Sequence, residues 1–85
     1  MNELYKYIEE QIKKTGYPGE IAGDDFYDDI SAEADGQPNG TYIFLVKKTD
    51  TLIYKGCMTI MEDQFDLHYV DIIDGEKTYH VDFDA

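Results

Sequence analysis

The sequence predicts a small α+β domain in which two N-terminal helices precede a four-stranded antiparallel β-meander. Three observations lead to this fold class. Apolar residues recur at helical spacing before residue 36, β-branched and aromatic residues dominate after residue 41, and turn-forming residues divide the second half into four segments. The 85 residues, of which 42% are apolar and 14% aromatic, suit one small core, so we expect a single domain over residues 1–85.

The first helix is predicted from residue 3 onwards, with Asn2 as its N-cap. Leu4, Ile8 and Ile12 fall on one stripe of this helix, which predicts the side that faces the core. Gly16 is placed to adopt the left-handed conformation that ends many helices, and a proline two residues later blocks continuation.

The second helix is predicted over GDDFYDDISAEADG, residues 23–36. At about 100° per residue, its apolar side chains occupy roughly one third of the circumference. The remaining arc contains no base and six acids, which are Asp24, Asp25, Asp28, Asp29, Glu33 and Asp35. Either Gly23 or Asp24 can cap the start, and Gly36 can end the helix. Acids three or four positions apart repel one another, so the arc weakens the helix that carries it.

Four strands are predicted after the helices. TYIFLVKK, residues 41–48, is apolar on both faces and is therefore predicted as a central strand. Gly56, inside the next strand, is interpreted as a bulge or a bend. Polar turns separate the three later strands, which cover residues 52–61, 65–73 and 77–84.

The last hairpin is predicted to have one apolar and one acidic face. A two-residue turn at Asp74–Gly75 places Ile73 opposite Glu76. Strand alternation then assigns to the acidic face Asp71, His80, Asp82 and Asp84. Three apolar residues fall on that face against the pattern, namely Phe65, Leu67 and Tyr69. Cover by a helix, a bulge or an exposed patch would each explain them.

The net charge of −12 comes from 19 acids and seven bases, and all seven bases are lysine. Without arginine, the chain lacks the side chain best suited to grip phosphate, which disfavours direct binding of nucleic acid, nucleotides or anionic membranes. Cationic partners are favoured instead, either basic proteins or metal ions. The sequence starts MNELYKYIEE and contains no apolar run of membrane-spanning length, so we expect a cytoplasmic protein.

The sequence contains no recognisable catalytic or metal-binding motif. Cys57 lies alone in a predicted strand, and the hydroxyl side chains lack a neighbouring histidine or a glycine-rich elbow. DGQPNG begins like a calcium-binding loop but reaches Val46 where a glutamate is required. His68 and His80 have opposite strand parity, which disfavours a shared metal, and His80 suits a cross-strand pair with Asp71. We therefore expect no enzyme activity, metal or cofactor.

The unpaired acids favour a contact with a basic protein. A row of carboxylates imitates a phosphate backbone, so the sharper hypothesis is a DNA-mimic inhibitor that occupies the basic groove of a nuclease or another nucleic-acid-binding protein. The expected contact residues are Asp24, Asp25, Asp28, Asp29, Glu33, Asp35, Asp71, Asp82, Asp84 and Tyr69. Three alternatives stay open: acids that serve only solubility, a homo-oligomeric or scaffold protein that uses the patch at Phe65, Leu67 and Tyr69, and a weak binder of divalent cations.

The order YKYIEEQI…TGYPGEI…FYDDI…NGTYIFLVKK…IMEDQFDLHYVDI…YHVDFD resembles a group of short uncharacterised acidic proteins carried by mobile elements of Firmicutes and gut bacteria. The resemblance covers nearly the whole chain. The group has no established activity, so it implies no functional residues. In size, acidity and setting the chain is also similar in type to anti-CRISPR and anti-restriction proteins, many of which bind a nuclease directly. That similarity implies an inhibitor.

Overall fold

The computed structural model describes residues 3–62 and 64–83. Its elements are α1 (Glu3–Lys14), α2 (Gly23–Ala34), β1 (Gly40–Lys47), β2 (Leu52–Met61), β3 (Gln64–Asp74) and β4 (Lys77–Asp82). The strands form one sheet in the order β1-β2-β3-β4, in which each neighbouring pair is antiparallel. The predicted α+β class, with helices before strands, is confirmed. Neither 12-residue helix of the described chain has the length and apolarity needed to cross a membrane.

Both helices pack against one face of the sheet, which we call the inner face. The helical side chains buried there are at most 3% exposed and are Ile8, Ile12, Phe26 and Ile30. Leu4, the other member of the predicted α1 stripe, is 43% exposed. Alternate strand residues complete the core, namely Phe44, Tyr54, Met58, Ile60, Val70, Ile72 and Val81. The intervening strand side chains form the opposite face, which we call the outer face.

The glycines that were expected to end the helices do so. Gly16, after α1, has φ 85° and Gly36, after α2, has φ 77°, both in the left-handed region. The start of α2 differs from expectation, because its N-cap residue Ala22 makes no side-chain capping bond. The Gly23 N–H donates instead to Glu9 Oε2 of α1 at 2.7 Å. The cap therefore comes from a neighbouring helix, which spacing within α2 does not reveal.

Removing the Glu9 carboxylate is expected to cost about 1 kcal/mol of unfolding free energy, because a helix N-terminus loses both a hydrogen bond and a favourable charge. Urea denaturation of Glu9→Ala measures this loss. Glu10→Ala is the matched control, since Glu10 is exposed on the same helix and removes the same charge. Equal destabilisation by both substitutions would contradict a capping role for Glu9.

A β-bulge in β3 accounts for the apolar residues that fall on the predicted acidic face. Cys57 pairs with Tyr69, but the next residue, Met58, pairs with Leu67, so His68 is an extra residue in the ladder. The insertion reverses the strand parity, and Phe65 and Leu67 pack against the core. Of the three explanations considered, the bulge is therefore correct for these two residues. Only Tyr69 remains on the outer face.

Gly56 keeps its place in the pairing with both neighbouring strands, and the β-bulge close to it lies in β3 at His68. A methyl group at this position would lie 2.5 Å from the Phe44 ring and 2.6 Å from the Tyr69 carbonyl oxygen. Phe44 is the residue opposite Gly56 on β1, and its ring fills the space that a side chain would need. Gly56 is therefore required for packing across the sheet.

The last hairpin turns one residue later than predicted. Asp74 pairs with Lys77 and Ile73 with Thr78, which leaves Gly75 and Glu76 as the two-residue loop. Gly75 has φ 62°, as the first central residue of a type II′ turn requires. Because the register moves by an even number of residues, the side chains from Tyr69 to Asp82 stay on the faces predicted for them.

β1 was predicted to be a central strand, and this prediction is wrong. β1 lies at the edge of the sheet and pairs only with β2. Its inner-face residues Tyr42, Phe44 and Val46 are partly or fully buried, whereas Ile43 and Leu45 on the outer face are 60% and 58% exposed. The apolar outer half of β1 is thus not explained by the burial seen in a single chain.

Candidate functional site

The predicted acidic arc lies on the side of α2 that faces away from the sheet. Phe26 and Ile30 anchor the helix, and the Phe26 ring lies 5.2 Å from the Tyr54 ring beneath it. Five of the six predicted acids are exposed, namely Asp24, Asp25, Asp28, Glu33 and Asp35. None of these five makes an ion pair with a lysine or histidine of the described residues 3–62 and 64–83. We call this set of five the α2 acidic face.

The sixth acid, Asp29, is paired with a lysine from the β1–β2 turn. Lys48 Nζ lies 2.6 Å from Asp29 Oδ2, and the two side chains are 33% and 27% exposed. A pair this exposed contributes less than about 1 kcal/mol. The pair holds Lys48 at the border of the helix, beside Asp29, and Lys48 makes no ion pair with the described residues of the α2 acidic face.

The charge of α2 also acts on the core beneath it. The buried Tyr54 has its pKa raised to about 12, mainly by burial, and then by the negative charges of Asp29, Tyr17 and Asp25. Within α2, Asp24 Oδ1 accepts the Asp25 N–H at 2.8 Å. The C-terminal end of α2 is unfavourable for an acid. Its last turn contains no basic residue, so no positive charge on α2 offsets the unfavourable interaction of Glu33 with the helix dipole.

An open groove of about 800 Å³ continues the α2 acidic face at the end of the helix. Asp28 and Asp35 line one wall, and Ile60 and Phe65 line the other. Ser31 also lines this groove, but its hydroxyl oxygen is buried and has no hydrogen-bond partner among the described residues. The groove therefore combines carboxylates with an apolar wall.

The remaining predicted contact residues are in a different layer. Asp71 and Asp82 alternate with the buried Val70, Ile72 and Val81, so they project from the outer face of the sheet. Asp84 lies outside the described residues. Because α2 covers the inner face, one flat partner surface cannot contact both acidic regions. The expected contact residues of the described chain therefore lie on two separate surfaces.

Side chains on the outer face are connected to one another across the strands. His80 Nδ1 lies 2.6 Å from Asp71 Oδ1, which confirms the expected cross-strand pair. Tyr69 is half-buried and its ring lies 5.3 Å from the His80 imidazole. Asp71 and Tyr69 therefore both contact His80, whereas the acids of the α2 acidic face have no such side-chain partner among the described residues.

The bulge also corrects the expectation that the two histidines face opposite sides. His68 Nε2 lies 2.7 Å from Thr59 Oγ1, and Thr59 belongs to the outer face, as does His80. Thr41 Oγ1 extends the chain at 3.1 Å from Thr59 Oγ1. Sequence spacing did not predict this hydroxyl–imidazole contact. The contact depends on the bulge at His68, and the sequence did not show where in β3 a bulge would lie.

Neither histidine belongs to a metal-binding cluster within the part of the chain that the structure describes. No three His, Cys, Asp or Glu side chains converge there in a way that could hold an ion. No structural observation therefore favours the divalent-cation alternative.

Comparison with known proteins returns no match to a family model, to a curated protein or to a solved structure.

Proposed function

We propose that this protein is a non-enzymatic acidic module, built on a β-meander, that binds a basic protein surface in the cytoplasm through the α2 acidic face. The observation that carries the proposal is the set of five exposed carboxylates on α2 and its C-cap, none of which forms an ion pair with another described residue. Asp24 and Asp25 suit the helix N-terminus, but Glu33 opposes the dipole at the other end, and acids three or four positions apart repel one another, so the stability of α2 does not explain the whole set. Binding of a cationic partner would relieve this repulsion.

The spacing of these charges favours a partner that normally binds DNA. Asp24 to Asp35 spans roughly 17 Å of helix at about 1.5 Å per residue. The five carboxylates are on average about 4 Å apart along the helix axis, which is similar to the 3.4 Å per phosphate of a single DNA strand. The sharper form of the proposal is an inhibitor of the DNA-mimic kind that occupies the basic groove of a nuclease.

The groove beside α2 supplies a place for an individual partner side chain. An arginine or lysine entering between Asp28 and Asp35 would meet two carboxylates, while its aliphatic stem would lie against Phe65. Such a contact adds specificity to the long-range attraction of the helix.

The test compares two sets of four neutral substitutions, each of which removes four negative charges. The first set changes the α2 acidic face and consists of Asp24→Asn, Asp25→Asn, Asp28→Asn and Glu33→Gln. The matched control changes exposed acids elsewhere and consists of Glu10→Gln, Glu20→Gln, Asp50→Asn and Glu76→Gln. Affinity is measured by biolayer interferometry against a panel of purified bacterial nucleases.

For a nuclease that binds the unmodified protein, we expect the α2 set to weaken affinity at least about tenfold, because its carboxylates make the contact. The control set is expected to change affinity by less than about threefold. Duplex DNA should compete, and added salt should weaken binding. Equal loss from both sets would refute a contact centred on α2, and absence of competition by DNA would refute occupation of the groove.

A further inference from the structure

Residues 41–46 of β1 form an apolar edge without the usual protection against pairing, and the one charged residue of β1 is Lys47 at its end. Edge strands are commonly blocked by lysine, proline, a bulge or an inward-pointing charge. Between Thr41 and Val46, β1 has no charge, no proline and no bulge. The opposite edge strand, β4, is shorter and carries Lys77 and Asp82. The sheet is therefore open to pairing at β1 rather than at β4.

The hydrogen bonds of the β1–β2 hairpin show which backbone groups of β1 remain at the free edge. Lys48 N–H donates to Leu52 O at 2.9 Å, so the backbone of Lys48 points toward β2. Alternate residues of an antiparallel ladder point the same way. The backbones of Tyr42, Phe44 and Val46 therefore also face β2, and the free edge belongs to the odd-numbered residues 41, 43, 45 and 47.

The charge distribution favours a second copy of this chain as the partner for that edge. A copy carries a net charge of −12, so any self-contact must avoid the acids. Residues 36–49 contain no acid, although the chain has 19, and this segment includes the whole of β1. Two β1 strands can thus meet without opposing any carboxylates.

We propose that two copies pair through antiparallel β1 strands centred on Phe44, which joins their sheets into one of eight strands. In this register Ile43 lies opposite Leu45 of the other copy on the outer face, and Tyr42 lies opposite Val46 on the inner face. Thr41 lies opposite Lys47, so no like charges face each other. The register uses every free backbone group of residues 41–47, which gives about eight inter-chain hydrogen bonds.

This pairing places the helices of both copies on the same side of the joined sheet, because the two-fold axis is perpendicular to it. The two α2 acidic faces then lie in one layer and repel. Self-association is therefore expected to strengthen with salt, whereas binding to a basic partner weakens with salt. The opposite salt responses separate this inference from the proposed function, on which it does not depend.

Sedimentation equilibrium from about 1 to 500 µM, in reducing buffer at 0.15 and 0.5 M salt, tests the pairing. We expect the mass to rise from 9.8 kDa toward twice that value, and at lower concentration in the higher salt. Hydrogen exchange should show the Ile43 and Leu45 amides becoming protected as the dimer forms. A protein that stays monomeric throughout, or dimerises without protecting these amides, overturns the proposal.

The variant Ile43→Lys/Leu45→Lys is expected to weaken dimerisation at least about tenfold by placing two charges at the seam. Both side chains are more than half exposed, so the monomer should keep its urea midpoint. The two added lysines make each copy less negative, so the copies repel each other less. Stronger overall repulsion therefore cannot cause a loss of dimerisation. Met61→Lys is the control, since Met61 is 64% exposed on the outer face but belongs to β2, which is paired on both sides. Dimerisation unaffected by the double variant, or lost equally in the control, overturns the β1 assignment.

Discussion

Gly23→Ala is expected to destabilise the protein by about 2–3 kcal/mol, because the added methyl group would overlap the backbone carbonyl of Tyr5. The obstacle is the backbone of α1 rather than a flexible side chain, so the two helices must move apart. That movement also lengthens the bond from the Gly23 N–H to Glu9. Helix propensity alone predicts the opposite sign, since alanine is better than glycine by up to about 1 kcal/mol. The sign of the change in urea midpoint therefore decides whether the helices are in close contact.

Gly36→Ala is the control for this substitution. Gly36 has φ 77° and no atom within 4 Å of the added methyl group, so only backbone strain of about 1–2 kcal/mol is expected. Gly23 has no positive φ, so its substitution reports steric overlap alone. A Gly23→Ala protein that is as stable as the unmodified protein would contradict the close contact between α1 and α2.

The second large effect is a loss of stability at alkaline pH that depends on Tyr54. Burial, with smaller contributions from Asp29, Tyr17 and Asp25, raises the pKa of Tyr54 from 10.0 to about 12. Below pH 10 the hydroxyl keeps its proton in both states and contributes no pH dependence. Between pH 10 and 12 only the unfolded chain releases the proton, so the unfolding free energy falls by roughly 3 kcal/mol.

Tyr54→Phe removes this hydroxyl and should flatten the decline in unfolding free energy between pH 10 and 12. Urea titrations at several pH values in this range measure the slope for both proteins. Part of the slope should remain, because burial and the charge of Asp74 also raise the pKa of Tyr17. Tyr7→Phe, which changes a residue that is 40% exposed, is the control. Identical slopes for Tyr54→Phe and the unmodified protein would contradict a buried, protonated Tyr54.

The positions of both helices followed from the sequence because their signals are local. Ile8 and Ile12, or Phe26 and Ile30, meet the core at helical spacing, and Gly16 and Gly36 end the helices within the same segment. The cap on α2 depends on Glu9, which is fourteen positions from Gly23. Only the tertiary contact between the helices brings that carboxylate to the helix start, so no pattern within α2 could reveal it.

The sheet shows what strand patterns can and cannot report. Alternation identified the inner-face residues Val70, Ile72 and Val81, which are fully buried. The same reasoning made β1 central, because apolarity on both faces normally means cover on both faces. The apolar side chains of Ile43 and Leu45 favour burial, but the sequence does not show whether this chain or another molecule would bury them.

The acidic arc on α2 was predicted as a whole, since helical geometry fixes which side chains share a face. Two features of the site were missed. The pairing of Asp29 with Lys48 joins residues nineteen positions apart, which periodicity does not address. The separation of α2 from Asp71 and Asp82 depends on which face of the sheet the helices cover. No sequence pattern between α2 and β1 predicts that face.

The bulge at His68 is a place where β3 can lose one residue without losing its core contacts. On one side of His68 the side chains of Phe65 and Leu67 enter the core, and on the other side those of Val70 and Ile72 do so, from positions of opposite parity. A homologue that lost His68 would regain regular alternation, because all four side chains would then share one parity and face the core. The chain length of β3 can therefore change at the bulge, whereas a single insertion or deletion between Val70 and Ile72 would turn one of these two side chains away from the core.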